Sequence, residues 1–155
     1  MVMRAANLKP FVVGIDPGKN TGCAVWQRKG DKVLAWCDKT FVTVQSYLDA
    51  VFPDKSEVKI FIELPPTFMY RRNDNDNDPQ YVRDRKNQLI EGNRTEAKLL
   101  FETLLDKGWD VELVAPVREK KWDARRFKLF TGSARSASQH CRDAVRLAIY
   151  YANKR

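Results

Sequence analysis

Three β-rich segments close together near the start of the chain constrain its fold more than any other feature. The first, FVVGID at 11–16, is apolar almost throughout and predicts a buried strand. The segment GCAVWQR at 22–28 alternates in polarity, and KVLAWCD at 32–38 follows a Gly-Asp turn. Strands joined by such short turns pair with their neighbours in antiparallel order. We therefore predict a three-stranded meander over residues 11–38.

Downstream of this meander, helical and extended patterns alternate. Apolar residues at helical spacing predict helices, and short β-rich runs that end at proline or at a charge predict strands. The predicted elements are a helix at 44–52 with Thr43 as N-cap, a strand at 57–63, a helix at 88–106, a strand at 109–116 and a helix at 138–153. The order β-β-β-α-β-α-β-α predicts an α/β fold with a mixed five-stranded sheet flanked by helices. We expect residues 1–155 to form a single domain, because no repeat or linker divides them.

Two long segments lack a regular pattern. Residues 64–87 are predicted to form a long loop, and loops of this length are usually functional or disordered. Residues 117–137, called the basic segment below, are irregular with room for one short helix. We expect Trp122 and Phe127 to anchor the basic segment to the body of the protein.

The positive charge of the chain is concentrated near its C-terminal end. The net charge is +8. Residues 1–115 contain 17 Lys and Arg against 17 Asp and Glu, whereas residues 116–155 contain 11 against 3. This distribution favours a polyanionic partner, with nucleic acid first. Charge alone leaves open the alternative that these residues form a solvated basic face.

Hydropathy and cysteine content indicate the class of protein. The sequence has no apolar run long enough to span a membrane, and its first residues are too polar for a signal peptide. The three cysteines, Cys23, Cys37 and Cys141, are odd in number and far apart, which argues against a disulfide framework or a zinc module. We therefore expect a cytoplasmic protein in a reducing compartment, without membrane association.

Four potential metal ligands fall where the predicted fold would bring them together. Asp16 and Glu63 each end a buried strand, so both carboxylates would project from one edge if the strands are neighbours. His140 and Asp143 are three residues apart and share one face of the last helix. Converging carboxylates repel one another unless a cation lies between them. One or two divalent metal ions would offset that repulsion, and the four side chains would then serve as metal ligands.

Each of these residues has a structural alternative when it is considered alone. Asp16 can cap its strand, and Glu63 can be a surface acid at a strand end. His140 can be a structural histidine, and Asp143 can complement the helix dipole. Cys141 points to a different side of the helix and is interpreted as a core residue. The metal-site interpretation therefore depends on the four ligands together.

The motifs around these residues resemble those of a known family. GIDPGKNTG, IFIE and HCRDA, in this order and on these elements, are similar to motifs of the RuvC family of Holliday-junction resolvases in the ribonuclease H-like superfamily. The resemblance covers nearly the whole chain in element order, and its first motif is the most specific. The chain is somewhat shorter than typical cellular members. Its loop after Glu63 and its basic segment look more like those of small RuvC-like phage proteins.

This resemblance implies a ribonuclease H-like fold and a two-metal nuclease. It assigns Asp16, Glu63, His140 and Asp143 as catalytic metal ligands, with Asp16 shared between two Mg²⁺ ions. Glu63 would hold one ion, and His140 with Asp143 would hold the other. Mn²⁺ is also expected to support activity, and water would be the nucleophile.

Candidate DNA contacts come from the two irregular segments. Aromatic side chains beside cations suit insertion into an opened junction and stacking on a base. The alternative is that these aromatic residues pack the loop onto the core. Cations in the basic segment could line a path for phosphates. The candidate DNA-binding residues are Phe68, Tyr70, Arg71, Arg72, Lys120, Lys121, Arg125, Arg126 and Lys128.

The favoured function is a structure-selective endonuclease that resolves four-way (Holliday) DNA junctions by metal-dependent phosphodiester hydrolysis. A four-way junction is two-fold symmetric, so a homodimer is expected, with helix 88–106 as its interface. A RuvC-like nuclease with broader specificity for branched or flap DNA is an open alternative. A non-catalytic DNA-binding protein is a second alternative, against which the complete ligand set argues.

Overall fold

A computed structural model describes residues 8–66 and 79–154, which form one mixed sheet packed between helices. The strands are β1 (Phe11–Asp16), β2 (Thr21–Gln27), β3 (Lys32–Lys39), β4 (Val58–Glu63) and β5 (Asp110–Val114). The α-helices are α1 (Phe41–Val51), α2 (Gln80–Asp106), α3 (Ala124–Thr131) and α4 (Gln139–Asn153), and a short 3₁₀ turn (Lys55–Glu57) precedes β4. The element order confirms the predicted α/β architecture, with α3 as the short helix in the basic segment.

The strand order across the sheet is β3-β2-β1-β4-β5. The predicted meander is present, because β1 pairs with β2 and β2 pairs with β3, both in antiparallel order. Strand β4 adds to the other side of β1 in parallel, with Ile15 opposite Ile62, and β5 adds to β4 in parallel. The residues that follow this pair, Asp16 and Glu63, therefore lie side by side at the carboxyl edge of the sheet.

The two faces of the sheet are covered by different helices. On one face, side chains such as Ile15 and Ile60 pack with Leu48 of α1 and Leu100 of α2. Helix α4 covers the other face, where Leu147 and Ala148 join Val12 and Phe61, while Ala144 packs on Ala24. Burial on both faces explains why β1 and β4 are apolar almost throughout rather than alternating.

Two strand glycines allow α4 to approach the sheet closely. A Cβ atom at Gly14 would lie 2.3 Å from the carbonyl oxygen of Ala144, and one at Gly22 would lie 2.1 Å from that of His140. Neither distance is possible for a real side chain, so both positions require glycine. The contact at Gly22 places the first turn of α4 directly on the start of β2.

Two predicted helix starts were wrong. Helix α1 begins at Phe41, and its N-cap is Thr40, which forms a reciprocal capping box with Thr43. Helix α2 begins at Gln80, so residues 80–87 are helical rather than part of a loop. These first turns of α2 bury no side chain, and a helical segment without an apolar face gives no periodic signal.

The buried face of α2 also differs from the predicted apolar stripe. Leu89 and Leu105 were expected in it, but they are 62% and 51% exposed. The buried side chains of α2 are instead Ile90, Ala97, Leu100 and Leu104. Gly108 follows the helix with a φ of 86°, as expected for a glycine at the end of a helix.

The basic segment is fixed to the body of the protein by its aromatic residues. Trp122 and Phe127 are 6% and 1% exposed, which confirms the prediction that they anchor this segment. Phe127 makes an edge contact with Trp36 of β3, with ring centroids 5.1 Å apart. Helix α3 begins after the N-cap Asp123. Within residues 8–66 and 79–154, no helix has the length and apolar character needed to cross a membrane.

Candidate functional site

The carboxyl edge of β1 and β4 supplies the first two residues of the candidate site. Asp16 ends β1, and the turn that follows is closed by a hydrogen bond from the Thr21 hydroxyl to the Gly18 carbonyl oxygen at 3.2 Å. Glu63 ends β4, and the backbone N–H of Leu64 donates to Val114 of β5 at 2.8 Å. Both acidic residues are partly buried, so rigid strands hold both carboxylates at this edge.

The first turn of α4 supplies His140 to the same edge. Ser138 is the N-cap of α4, and its hydroxyl also donates to a carboxylate oxygen of Asp38 at 2.6 Å. His140 projects toward β1, where its Nδ1 lies 3.1 Å from Oδ2 of Asp16. Cys141 is 2% exposed, which confirms its interpretation as a core residue. Helix α4 thus brings His140 into direct contact with Asp16 at the end of β1.

Asp143 lies one turn further along α4, and its side chain is only 8% exposed. Gln139 donates from Nε2 to Oδ1 at 2.8 Å, and the Lys121 ammonium donates to Oδ2 at 3.1 Å. The guanidinium of Arg146 is 3.9 Å from Oδ1. Both oxygens of the carboxylate therefore have polar partners, which a buried charge requires.

The acidic residues of the site influence one another electrostatically. Burial raises the pKa of Asp16 above its usual value, and the nearby charge of Asp143 adds to this, although the hydrogen bond with His140 opposes it. Burial also raises the pKa of Glu63 to about 7, with further contributions from Asp16 and Asp143. Lys121 and Arg146 partly oppose the shift at Glu63. Negative charge at this edge is thus only partly compensated by the protein.

This electrostatic imbalance is the basis for testing whether the residues fit a metal ion. Carboxylate oxygens with one imidazole form a donor set suited to Mg²⁺ or Mn²⁺, and a divalent cation would favour the charged carboxylates against the burial and repulsion that raise these pKa values. In the part of the chain that the structure describes, no three His, Cys, Asp or Glu side chains are already grouped as ligands of one ion. Asp16 instead contacts His140, and Asp143 contacts Lys121. The residue types fit a metal site whose carboxylates have protein partners in this arrangement.

Sequence reasoning missed two polar neighbours of Asp143 and the contact that a third residue makes with it. Gln139 and Arg146 were not predicted, although they stand four residues before and three residues after Asp143, which is helical spacing for neighbours. Lys121 was predicted to line a path for DNA phosphates. Its ammonium group instead contacts Asp143, which no local pattern near Lys121 indicates.

The other predicted DNA-binding residues fall into two groups. In the basic segment, Lys120, Arg125, Arg126 and Lys128 are all exposed, and the Arg126 guanidinium lies over the Trp122 ring at 5.3 Å. Exposed cations on a segment that is anchored by buried aromatic residues can contact a polyanion while the segment stays fixed to the body of the protein. The remaining predictions, Phe68, Tyr70, Arg71 and Arg72, lie outside the described residues.

Comparisons with known proteins support the fold. No protein-family model matches the chain, and no curated protein matches it in sequence. Among solved structures, T. thermophilus RuvC in complex with Holliday junction substrate is similar to this chain, with a TM-score of 0.54. The match covers 92% of each chain at 18% sequence identity. It confirms the predicted ribonuclease H-like fold.

Proposed function

We propose that this protein is a metal-dependent endonuclease that resolves four-way DNA junctions. The observation that carries the proposal is the contact of His140 with Asp16 at one edge of a ribonuclease H-like sheet, with Glu63 and Asp143 near enough to influence Asp16 or one another electrostatically. An exposed basic segment adjoins this edge and is joined to it by the contact between Lys121 and Asp143. An acidic site beside a cationic surface suits hydrolysis of a polyanion.

In this proposal the four residues at the edge would hold Mg²⁺, or Mn²⁺ in its place. Divalent ions at such a site lower the pKa of bound water and neutralise charge that develops on phosphate oxygens. The protein supplies rigid placement, because two carboxylates end neighbouring strands and the other two groups share one helix face. Asp16 is central to the arrangement, since its neighbours include both His140 and Asp143.

The basic segment would bind the DNA backbone. Lys120, Arg125, Arg126 and Lys128 are exposed and can each neutralise a phosphate. We assign the aromatic and basic residues of the segment after Glu63 to the branch point, where aromatic rings stack on unpaired bases. These residues are Phe68, Tyr70, Arg71 and Arg72. T. thermophilus RuvC, which shares the fold, was solved in complex with a Holliday junction substrate.

The proposed functional unit is a homodimer, because a four-way junction is two-fold symmetric and needs two cleavage sites. Helix α2 is the proposed interface. It leaves Tyr81, Leu89 and Leu99 exposed by 74%, 62% and 51% of their surface. Exposed apolar side chains on a long helix suit contact with a second copy. An enzyme acting on DNA branches would work inside a cell, which agrees with three free cysteines.

A cleavage assay on matched substrates tests the proposal. Purified protein is incubated with a four-way junction, a flap and a linear duplex of the same sequence, each with Mg²⁺, with Mn²⁺ or with EDTA. We expect metal-dependent cleavage of the junction at paired, symmetric positions and little cleavage of the duplex. Equal cleavage of flap and junction would favour the broader nuclease, and binding without cleavage would favour a DNA-binding protein.

The variants Asp16→Asn and Asp143→Asn assign the activity to the site. Each removes one negative charge but keeps the size of the side chain, so cleavage should be lost while junction binding stays equal or becomes tighter. Asp49→Asn is the matched control, because Asp49 is an exposed residue of α1. Normal cleavage by either site variant would contradict the assignment.

A further inference from the structure

The ammonium group of Lys121 stands among the acidic residues of the candidate site. Its Nζ lies 3.1 Å from Oδ2 of Asp143. Its positive charge is also close enough to lower the pKa of both Asp16 and Glu63. Lys121 therefore acts on three carboxylates at once, which is the electrostatic position that a bound cation would occupy.

We propose that Lys121 is a built-in counter-cation of this site, which stabilises the metal-free protein and which a divalent metal ion displaces from Asp143. The inference rests on the proposed function, because it takes Asp143 as a metal ligand. It gives Lys121 a different role from the phosphate contact that the sequence suggested. Lys121 is a positioning residue here, because it affects metal binding through its contact with the Asp143 carboxylate.

The partners of Asp143 explain why Lys121 is the group that a metal ion would displace. Gln139 is on α4 itself, four residues from Asp143, so its amide stays in place when the helix does. Lys121 reaches the carboxylate from the basic segment through a long, flexible side chain, which is 66% exposed. Its ammonium group can move from Asp143 into water without burying a charge. Oδ2 of Asp143 then becomes available to a metal ion.

The need for a counter-cation follows from the burial of Asp143. A carboxylate that is 8% exposed and lies near two further acidic residues is costly without a positive partner. Arg146 lies 3.9 Å away, and its guanidinium also donates to the Glu119 carbonyl oxygen at 2.8 Å. Lys121 is thus the closer cation and the more mobile one.

Metal affinity in the absence of DNA gives the direct test. Mn²⁺ binding is measured by titration calorimetry on the wild type, Lys121→Met, Lys121→Arg and Lys120→Met. Lys120→Met is the matched control, since it removes the same charge from the neighbouring exposed residue. We expect Lys121→Met to bind Mn²⁺ about fivefold more tightly, because an ion pair whose cation is largely exposed contributes on the order of 1 kcal/mol and 1.4 kcal/mol is tenfold. Lys120→Met and Lys121→Arg should stay within about twofold of the wild type.

Thermal unfolding gives a second measurement, in which the same substitution should lower stability rather than raise metal affinity. Without metal, Lys121→Met should unfold at a lower temperature than Lys120→Met, and saturating Mn²⁺ should remove the difference, because bound metal stabilises the folded state. If Lys121→Met is poorly folded, the same comparison is made with Lys121→Gln. Equal Mn²⁺ affinity and equal metal-free stability of the Lys121 and Lys120 variants would overturn the inference while leaving the metal site intact. A wild type that binds no Mn²⁺ would instead overturn the metal site of the proposed function.

Discussion

His140 Nδ1 lies 3.1 Å from Oδ2 of Asp16, although the two residues are 124 positions apart in sequence. The contact joins the end of β1 to the first turn of α4. It exists because Gly22 lets the helix backbone rest directly on β2, which fixes the height of His140 above the strand end. An imidazole and a carboxylate at this distance can form a hydrogen bond when no metal ion is bound. Both can serve as ligands when a metal ion is present.

The first prediction concerns His140 as a metal ligand. A histidine ligates only in its neutral form, and imidazoles in general bind protons at higher pH than carboxylates do. The variant His140→Asp should therefore keep some cleavage activity, shift metal preference from Mn²⁺ toward Mg²⁺, and extend activity to lower pH. Initial rates are measured against pH at two concentrations of each metal. If His140→Asp matches the wild type in metal preference and in the acid limb of its pH profile, His140 is a structural residue and not a metal ligand.

The second prediction concerns the pH dependence of stability caused by Glu63. Its pKa is about 7 in the folded protein, against an ordinary value of 4.5. Between these two pH values the folded state keeps a proton that the unfolded state has lost, so stability falls as the pH rises. The stabilising contribution is fully present below about pH 4.5 and is lost as the pH passes through 7, with a size on the order of 3 kcal/mol.

Glu63→Gln tests this prediction, because glutamine has nearly the same shape and does not titrate. In EDTA, the free energy of unfolding of the variant should fall less between pH 5 and pH 8 than that of the wild type. The exposed Glu57→Gln is the control and should follow the wild type. Urea unfolding at both pH values provides the measurement. Parallel behaviour of the wild type and Glu63→Gln would show that burial and the neighbouring acidic residues do not raise the pKa of Glu63.

The third prediction concerns the basic segment. Replacing Arg125 and Lys128 by glutamine should weaken junction binding and reduce the slope of log affinity against log salt by about two, which is about one per lost phosphate contact. The control replaces Lys29 and Lys98, which are exposed on other elements and carry the same total charge. Fluorescence anisotropy at several salt concentrations measures both. An unchanged slope in the first variant would mean that the segment is only a solvated face.

The fourth prediction concerns the glycine beneath α4. Gly22→Ala should destabilise the protein by about 1–3 kcal/mol and reduce activity, because the added methyl group collides with the His140 backbone. Gly92→Ala is the control, since no heavy atom lies within 4 Å of a Cβ at that helical position. The control should gain about 0.5–1 kcal/mol from improved helix propensity. Equal stability of the two variants would contradict the close approach of helix and strand.

The order of elements and the strand ends that carry Asp16 and Glu63 were predictable from local patterns in the sequence. Apolar runs and helical spacing report which faces of a segment are buried, and burial is a local property of the pattern. The same rule placed His140 and Asp143 on one helix face. It missed residues 80–87 of α2, because a helical segment that buries no side chain leaves no such pattern.

The contacts between side chains at the site depend on tertiary packing and could not be predicted from local patterns. Lys121 and Asp143 are 22 residues apart, and their pairing depends on how the basic segment is anchored by Trp122 and Phe127. The contact between His140 and Asp16 depends on the height at which α4 packs over β2. Side-chain periodicity sets which face is buried but not the distance or offset between two packed elements. That offset follows from close packing across the whole interface, which no single segment encodes.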